Sequence, residues 1–314
     1  MSQTKYLVTG GVGFLGKYIT KSILEAGHIC YTLQRTASNE TDIKNIVADI
    51  SKDFFSLGDK TFDVVIHAAG KAHLVPKTEV EAEEFHQVNA EGTRRLLGAL
   101  NKLPSLPKQF VLISTVSVYG LDTGQLINES QSLNSKEPYG KSKIEAEREA
   151  QIWGSKNNVP VLILRLPLIV GYNPPGNLGA MISGIKSGKY LRIGNGEARK
   201  SMVLATDVAQ VILNNADKAG IYNLTDRNHP NFAELEDQIC KVLNLKPVKR
   251  INQKQALWLG MAGNAMQRLS LPFPINSRTI TKIMNPLTFD DSLAVKELNW
   301  SPNKVLDHIK EVVN

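Results

Sequence analysis

Residues 6–16 read YLVTGGVGFLG, a short apolar run that enters a loop with glycine at every third position. The run predicts a buried strand, and the residues after the loop predict a helix. In such a unit the glycines allow a tight turn, a close approach of backbone to a pyrophosphate, and packing of helix on strand. The alternative is a glycine turn that serves packing alone. We predict a dinucleotide site formed by Gly10, Gly13, Phe14, Leu15 and Gly16.

Strands and helices alternate through the first half of the chain. Apolar runs at 28–34, 62–70, 109–115 and 159–167 are interleaved with helical stretches at 82–102 and 139–156. Continuous apolar strands between helices are typical of a parallel sheet that is covered on both faces. We predict an α/β protein with a Rossmann doubly wound parallel sheet and a smaller, discontinuous C-terminal substrate domain.

The sequence pattern changes after about residue 170, where loops rich in Gly, Pro and Asn replace the regular alternation of strands and helices. Ligands of doubly wound sheets bind at the carboxyl ends of the strands, beneath whatever covers them. We predict a dinucleotide-binding domain at 1–170, with a returning segment near 200–225. The substrate-binding region is then 171–199 and 226–314.

The bulk composition is that of an ordinary soluble protein. The chain has 314 residues, of which 42% are hydrophobic and 21% charged, and its net charge is +7. A basic surface favours acidic ligands, but lysines and arginines are scattered without a run of five or six. Neither nucleic acid nor a membrane is therefore expected as the main partner.

Cysteines and apolar stretches favour a cytoplasmic location. Cys30 and Cys240 have neither metal-ligand spacing nor a disulfide pattern, so we expect buried thiols and no metal. The apolar run at 161–170 is too short to span a bilayer and contains Arg165. The stretch QALWLGMAGNA at 255–265 is also too short, and is more typical of a buried or partner-facing helix.

The end of the second predicted strand bears on the choice of dinucleotide. An acidic residue there binds the ribose hydroxyls of NAD, whereas a nearby arginine suits the 2′-phosphate of NADP. Here Gln34 takes the acidic position and Arg35 follows it. This pair favours NADP(H) over NAD(H). The alternative is that Arg35 is a solvated loop charge and Gln34 alone holds the ribose.

Five motifs occur in an order that resembles a known family: TGGVGFLG, HAAG at 67–70, VNAEGT at 88–93, STVSVYG at 114–120 and YGKSK at 139–143. Together they resemble the extended short-chain dehydrogenase/reductases of the NAD-dependent epimerase/dehydratase group. The resemblance covers nearly the whole chain and implies nucleotide-sugar substrates. It also implies further cofactor-binding residues, which are Asp49, Ile50, Ala68, Ala69, Gly70 and Asn89.

Tyr139 and Lys143 match the YxxxK motif of that family, and Thr115 matches its hydroxyl residue. Residues four apart on a helix share a face, so the phenol and the ammonium would stand side by side. A nearby cation favours the phenolate, as a base near neutral pH requires. The resemblance implies that Tyr139 relays a proton, Lys143 binds the cofactor and Thr115 orients the reacting oxygen.

Departures from the family pattern narrow the chemistry. Dehydratases of the family carry an Asp-Glu pair after the threonine, where this chain has Val116 and Ser117, so water elimination is not expected. Epimerases of the UDP-galactose type often carry an asparagine where Leu168 stands. The substrate-phosphate arginine aligns with a lysine, so the candidate substrate-binding residues are Thr115, Lys200, Arg199 and Arg278.

We therefore predict an NAD(P)-dependent enzyme that acts at C4 of a UDP- or dTDP-hexose, first as a 4-ketoreductase. A UDP-hexose 4-epimerase is the nearest alternative. A ketone or steroid reductase of the same fold, and a non-catalytic NAD(P)-binding sensor, are the others. A homodimer is expected through helices 83–101 and 139–156, as is common in the family.

Overall fold

The computed structural model describes residues 3–37, 42–52, 55–72, 76, 78–268 and 276–313. Its strands are β1 Lys5–Thr9, β2 Ile29–Gln34, β3 Lys44–Val47, β4 Val64–His67, β5 Gln109–Thr115, β6 Gly124–Ile127, β7 Val161–Leu166, β8 Leu168–Val170, β9 Leu191–Ile193, β10 Met202–Leu204, β11 Gly220–Asn223, β12 Lys249–Ile251 and β13 Leu287–Phe289. Its α-helices are α1 Phe14–Glu25, α2 Glu79–Phe85, α3 Gly92–Leu100, α4 Pro138–Asn157, α5 Gly176–Lys186, α6 Ala205–Asn214, α7 Phe232–Val242, α8 Gln253–Arg268, α9 Ser277–Met284, α10 Ser292–Leu298 and α11 Ile309–Val313.

The described strands form a seven-stranded sheet in the order β11-β7-β5-β4-β1-β2-β3, and every pairing in it is parallel. The chain starts at the centre, winds outward to β3, and then returns to build the other half from β4. This reversal places a crevice at the carboxyl ends of β1 and β4, where ligands of such sheets bind. The predicted Rossmann fold class is confirmed.

Two hydrophobic clusters cover the faces of the sheet. One packs α1 and α6 against β1, β4 and β7, and includes Ile19, Val208 and Ile212. The other packs α3 and α4 on the opposite face, and includes Leu96 and Trp153. Burial on both faces explains why these strands read as continuous apolar runs rather than as alternating ones.

The chain after β7 builds a second layer of structure around short parallel pairs. These are β10 with β8, β12 with β9, and β13 with β6. A third hydrophobic cluster joins α5, α7 and α11. Cys30 and Cys240 are both buried, in separate clusters, and do not form a disulfide. Among the described residues, no helix combines the length and the hydropathy needed to cross a membrane.

Candidate active site

The glycine loop is preorganised by close backbone contacts. Gly10 adopts a positive φ of 71°, and a side chain there would meet the Ala69 backbone nitrogen at 2.7 Å. A side chain on Gly16 would collide with the Gly10 carbonyl oxygen. Helix α1 begins at Phe14, and its N-cap residue, Gly13, provides no side-chain cap. Its first N–H groups, which include those of Phe14 and Leu15, therefore offer donors and a positive dipole end to an anion.

A chain of buried hydrogen bonds holds this loop against the end of β4. The Ala69 N–H donates to Thr9 Oγ1 at 3.1 Å, and Thr9 Oγ1 lies 2.6 Å from His67 Nδ1. His67 Nε2 lies 2.9 Å from Thr93 Oγ1, which donates to the Asn89 carbonyl at 2.6 Å. Burial lowers the pKa of His67 to about 3, so the ring is neutral. All of these hydrogen bonds can form together only if Nε2 of His67 carries the ring proton and donates to Thr93, while Nδ1 accepts from Thr9.

Asn89 connects the loop after β4 to helix α4. Its side chain accepts from the Lys71 N–H at 2.8 Å and donates to the Lys71 carbonyl at 3.0 Å. It also donates to the Ser142 hydroxyl at 2.9 Å. Asn89 lies in a π-helical stretch, His86–Glu91, between α2 and α3, and such stretches are frequent at functional sites. These hydrogen bonds of Asn89 fix the position of residues 68–70 relative to α4, the helix that carries Tyr139 and Lys143.

The end of β2 offers a polar site for a ribose. Gln34 is buried, and its Nε2 donates to Asn45 Oδ1 at 2.7 Å. Its Oε1 is buried and finds no hydrogen-bond partner among the described residues. An orphaned acceptor at this position suits a sugar hydroxyl. Arg35, which follows it, is exposed to solvent.

Asp49 and Ile50 close the other side of this region. Hydrogen bonds from Ser51 hold the pKa of the Asp49 carboxyl below its usual range, and the nearby charges of Lys52 and Arg35 act in the same direction. Ile50 is buried and packs on Gly92 in α3. The glycine cradle, the ribose acceptor and this ionised carboxylate together fit an adenine dinucleotide.

The three predicted catalytic residues lie together at the carboxyl end of β5. Thr115 is the last residue of β5, and Tyr139 and Lys143 lie in the first turns of α4. The Thr115 hydroxyl is within hydrogen-bonding reach of the Tyr139 phenol. The Ser117 N–H donates to Thr115 Oγ1 at 3.2 Å, and Lys143 Nζ donates to the Ile113 carbonyl at 2.6 Å.

Protonation of the pair differs from the expectation for a base. Burial raises the pKa of Tyr139, and the hydrogen bond from Thr115 offsets this only in part. Burial also lowers the pKa of Lys143 to about 8, opposed by the charge of Glu147. Both groups are desolvated, which penalises the phenolate and the ammonium alike. Without the cofactor, Tyr139 is therefore a phenol, and its role in proton transfer stays a prediction.

A buried ion pair connects α4 to the sheet, and no sequence motif had indicated it. Arg165 of β7 donates to Glu147 of α4, with Nη2 2.7 Å from Oε2, and both side chains are at most 3% exposed. The Ser114 hydroxyl also donates to Glu147, and Arg165 Nη1 donates to the Tyr119 hydroxyl at 3.1 Å. The sequence signal was Arg165 itself, because a charge inside an apolar strand requires a buried partner.

The predicted substrate-binding cations lie in two places: Arg199 near α7, and Lys200 with Arg278 near Asp122. Arg199 turns to α7, where it pairs with Glu234 at 3.3 Å. Arg278 instead pairs with Asp122 at 3.4 Å and with Glu137, which directly precedes α4. Lys200 donates to the carbonyls of Lys282 and Asn285, each at 2.8 Å.

Lys282 is a further cation at the same place, and no motif had indicated it. Its Nζ lies 3.0 Å from Asp122 Oδ1. Burial lowers the pKa of Lys200 to about 8, while the charge of Asp122 opposes this and that of Lys282 adds to it. Three cations, Lys200, Lys282 and Arg278, therefore lie near two carboxylates, Asp122 and Glu137, and leave an excess of one positive charge.

The fold and this arrangement define a class: a Rossmann-type protein with a Tyr-x-x-x-Lys pair at the cofactor end of its sheet. The model of the NAD dependent epimerase/dehydratase family matches residues 6–225. The chain therefore belongs to this family of enzymes, as its five motifs predicted.

Three similar proteins describe the range of the family. UDP-glucose 4-epimerase of Vibrio cholerae is 26% identical, over 96% of this chain and 91% of its own. The dTDP-D-glucose 4,6-dehydratase of Homo sapiens is 27% identical, over 76% of this chain and 74% of its own. UDP-glucuronic acid 4-epimerase from Bacillus cereus, solved with UDP-glucuronic acid and NAD, has a TM-score of 0.77 at 19% identity, covering 99% of this chain and 98% of its own. At that identity the last comparison shows the fold alone.

Proposed function

We propose that this enzyme is an NADPH-dependent 4-ketoreductase that reduces the C4 carbonyl of a UDP- or dTDP-linked hexose. The observation that carries this proposal is the position of Tyr139, which lies beside Thr115 at the carboxyl end of β5. Ketone reduction needs a proton donor at the carbonyl oxygen, and the Tyr139 phenol provides one. Reduced nicotinamide is neutral, so it does not supply the positive charge that would favour the phenolate.

Each catalytic side chain has one task in this reduction. The Thr115 hydroxyl, oriented by the Ser117 N–H, holds the substrate oxygen beside the phenol. The O–H bond of Tyr139 breaks as its proton moves to that oxygen, which becomes the C4 hydroxyl. A bound NADPH supplies the hydride to the carbonyl carbon. Lys143 binds the ribose of the cofactor and, when protonated, stabilises the phenolate that remains.

A screen of sugar nucleotides tests the reaction itself. We expect stoichiometric oxidation of NADPH with a UDP- or dTDP-4-keto-6-deoxyhexose, and a product heavier by two hydrogens in mass spectrometry. A UDP-hexose 4-epimerase is the second candidate, favoured by the Vibrio cholerae relative of that name. Interconversion of UDP-hexoses without net redox would select the epimerase. Turnover of steroids or small ketones without any binding of UDP would reject both.

The dehydratase relatives do not change this choice. Val116 and Ser117 follow Thr115 in a short 3-10 turn, and Ser117 Oγ accepts from Thr115 at 3.3 Å. Neither side chain supplies the acid or the base that elimination of water requires. A sensor without catalysis is also disfavoured, because Tyr139, Lys143 and Thr115 are all retained.

We further propose that Arg35 selects NADPH by pairing with its 2′-phosphate. Arg35→Ala is expected to weaken NADPH binding about tenfold, the worth of one charge-assisted contact, and to leave NADH binding unchanged. Fluorescence titration of both cofactors measures this. Arg148→Ala, on the exposed face of α4, is the control for loss of a surface cation. Equal affinity for both cofactors that Arg35→Ala does not alter would show instead that Gln34 alone holds the ribose.

We propose that the substrate diphosphate binds Lys200. The ammonium group of Lys200 donates two of its three N–H groups to backbone carbonyls, and the third is available to the diphosphate. Its pKa of about 8 lies below that of an ordinary lysine, so most Lys200 side chains are charged at pH 7 and most are neutral at pH 9. UDP affinity should then fall about tenfold between pH 7 and pH 9, because neutral Lys200 no longer attracts the anion.

Calorimetric titration with UDP checks this pH dependence. Lys200→Arg keeps a charged group across the range and should flatten the profile to less than about twofold. Parallel profiles in the two proteins would assign the diphosphate to other cations. Arg278 and Lys282 are the first of these.

The domain division and the assembly are also proposals. Residues 1–170, with the returning segment near 200–225, are assigned to the cofactor, and 171–199 and 226–314 to the substrate. Supporting this, β11 lies in the main sheet, whereas Arg278 and Lys282 come from the C-terminal substrate region. A homodimer is proposed through 83–101 and 139–156, where α3 and α4 lie side by side.

A further inference from the structure

Helix α8 exposes a large apolar face. Met261 stands four residues after Leu257 and three after Trp258, so the three side chains lie on one side of the helix, where they are 57%, 40% and 71% exposed. Lys254 stands one turn before Trp258 on the same side and is exposed. We call these four residues the α8 face. The sequence had suggested a buried or partner-facing helix here, and most of its apolar side chains are not buried.

The helix is anchored by its opposite side. Ala256 is fully buried, and Gly260 lies so close to α9 that a side chain would meet Ser277 Cα at 2.9 Å. Asn264 Nδ2 donates to Ser277 Oγ at 2.9 Å. A narrow stripe of small residues therefore fixes α8 to α9. The α8 face is left without a partner among the described residues.

Charge along the chain is strongly segregated around this helix. Residues 238–289 contain eight lysines and arginines and no aspartate or glutamate, so the rest of the chain sums to −1. Five of the eight are exposed and form no ion pair with a described residue; they are Lys241, Lys246, Lys249, Arg250 and Lys254. The segment that carries the α8 face thus carries more than the whole net charge of +7.

We propose that the α8 face docks on an anionic lipid bilayer. An apolar helix face with tryptophan and leucine that carries Lys254 and directly follows Lys249 and Arg250 along the chain is suited to the membrane interface, where apolar side chains enter the acyl boundary and cations contact headgroups. A second copy of the chain is a poorer occupant, because it would bring two such basic segments together. Nucleic acid is poorer still, since leucine and methionine offer nothing to a phosphate backbone. The proposal does not depend on the reaction that the enzyme catalyses.

Sedimentation with vesicles tests this proposal. The full-length protein should bind vesicles of phosphatidylcholine and phosphatidylglycerol at low salt, and at least about tenfold more weakly at high salt or with phosphatidylcholine alone. Leu257→Gln/Trp258→Gln/Met261→Gln should lose this binding, and all three sites are exposed, so the fold should tolerate the change. Val80→Gln is a matched control, because Val80 is 72% exposed on α2.

Tryptophan fluorescence gives a second readout. Trp153 and Trp300 are 6% and 5% exposed, so quenching by brominated lipid reports on Trp258. Quenching that follows sedimentation and is lost in Lys249→Glu/Arg250→Glu/Lys254→Glu supports the proposal. Binding to neither vesicle type at low salt would overturn it, as would unchanged binding by the triple glutamine variant. Self-association that this variant alone abolishes, without vesicle binding, would assign the face to a second copy.

Discussion

Turnover of the Tyr139→Phe variant is expected to fall by more than a hundredfold, while its affinity for the cofactor stays within about twofold of the parent enzyme. Phenylalanine keeps the ring, which packs 6.0 Å from Phe85, and removes only the hydroxyl beside Thr115. The loss therefore falls on proton transfer and leaves the fold and the cofactor site intact. Stopped-flow measurement of NADPH oxidation and a separate cofactor titration give the two values.

The matched control for this variant is Tyr172→Phe. Tyr172 is 62% exposed, and loss of its hydroxyl should leave turnover unchanged. Thr115→Val should lower turnover in the same direction as Tyr139→Phe, because both act on the same substrate oxygen. The double variant should be little worse than Tyr139→Phe alone, since residues that act as a unit are not additive. Near-normal turnover in Tyr139→Phe would remove the tyrosine from the reaction.

Glu147→Ala is expected to lower the free energy of unfolding by about 3–5 kcal/mol, the cost of leaving a buried charge without its partner. Arg165 would keep its hydrogen bond to Tyr119 but lose its only described carboxylate partner, in a site that is 3% exposed. Chemical denaturation measures the change. In addition, loss of Glu147 removes the charge that raises the pKa of Lys143, so that pKa should move further below about 8.

Two variants distinguish the cost of an unpaired buried charge from the loss of any carboxylate on α4. Glu145→Ala lies on the same helix but is partly exposed, and should change stability by less than about 1 kcal/mol. Glu147→Leu/Arg165→Met replaces the buried pair with apolar side chains and should recover most of the loss. If Glu147→Ala were no more destabilising than Glu145→Ala, the pair would not support α4.

Local motifs were enough to predict the core of the site. The glycine loop is contiguous, and Gly13 and Gly16 are required by the backbone of the loop itself, whereas Gly10 is also required by the distant Ala69 backbone. Tyr139 and Lys143 are likewise related by helical spacing alone. The parallel sheet covered on both faces was predictable because apolar strands that alternate with helices have few arrangements.

Contacts between distant segments were not predictable in this way. Asn89 bonds Ser142, 53 residues away, and His67 bonds Thr9, 58 residues away. Lys200 meets Lys282 because it forms a β-bridge with Leu287, just after α9, which is 87 residues away in sequence. The raised pKa of Tyr139 was not predictable either, since it depends on how much solvent the fold excludes.

The amino-acid sequence by itself determined the fold class, the family, the glycine cradle and the reactive pair, because each depends on spacing along one or two adjacent elements. Only the tertiary structure decided which charges meet, as for Glu147 and Arg165, and which apolar residues stay exposed, as for Trp258. The physical reason is that burial and electrostatic pairing are properties of the folded surface. The polarity of a side chain alone does not set its burial or its charge partner, because both depend on how the rest of the chain packs around it.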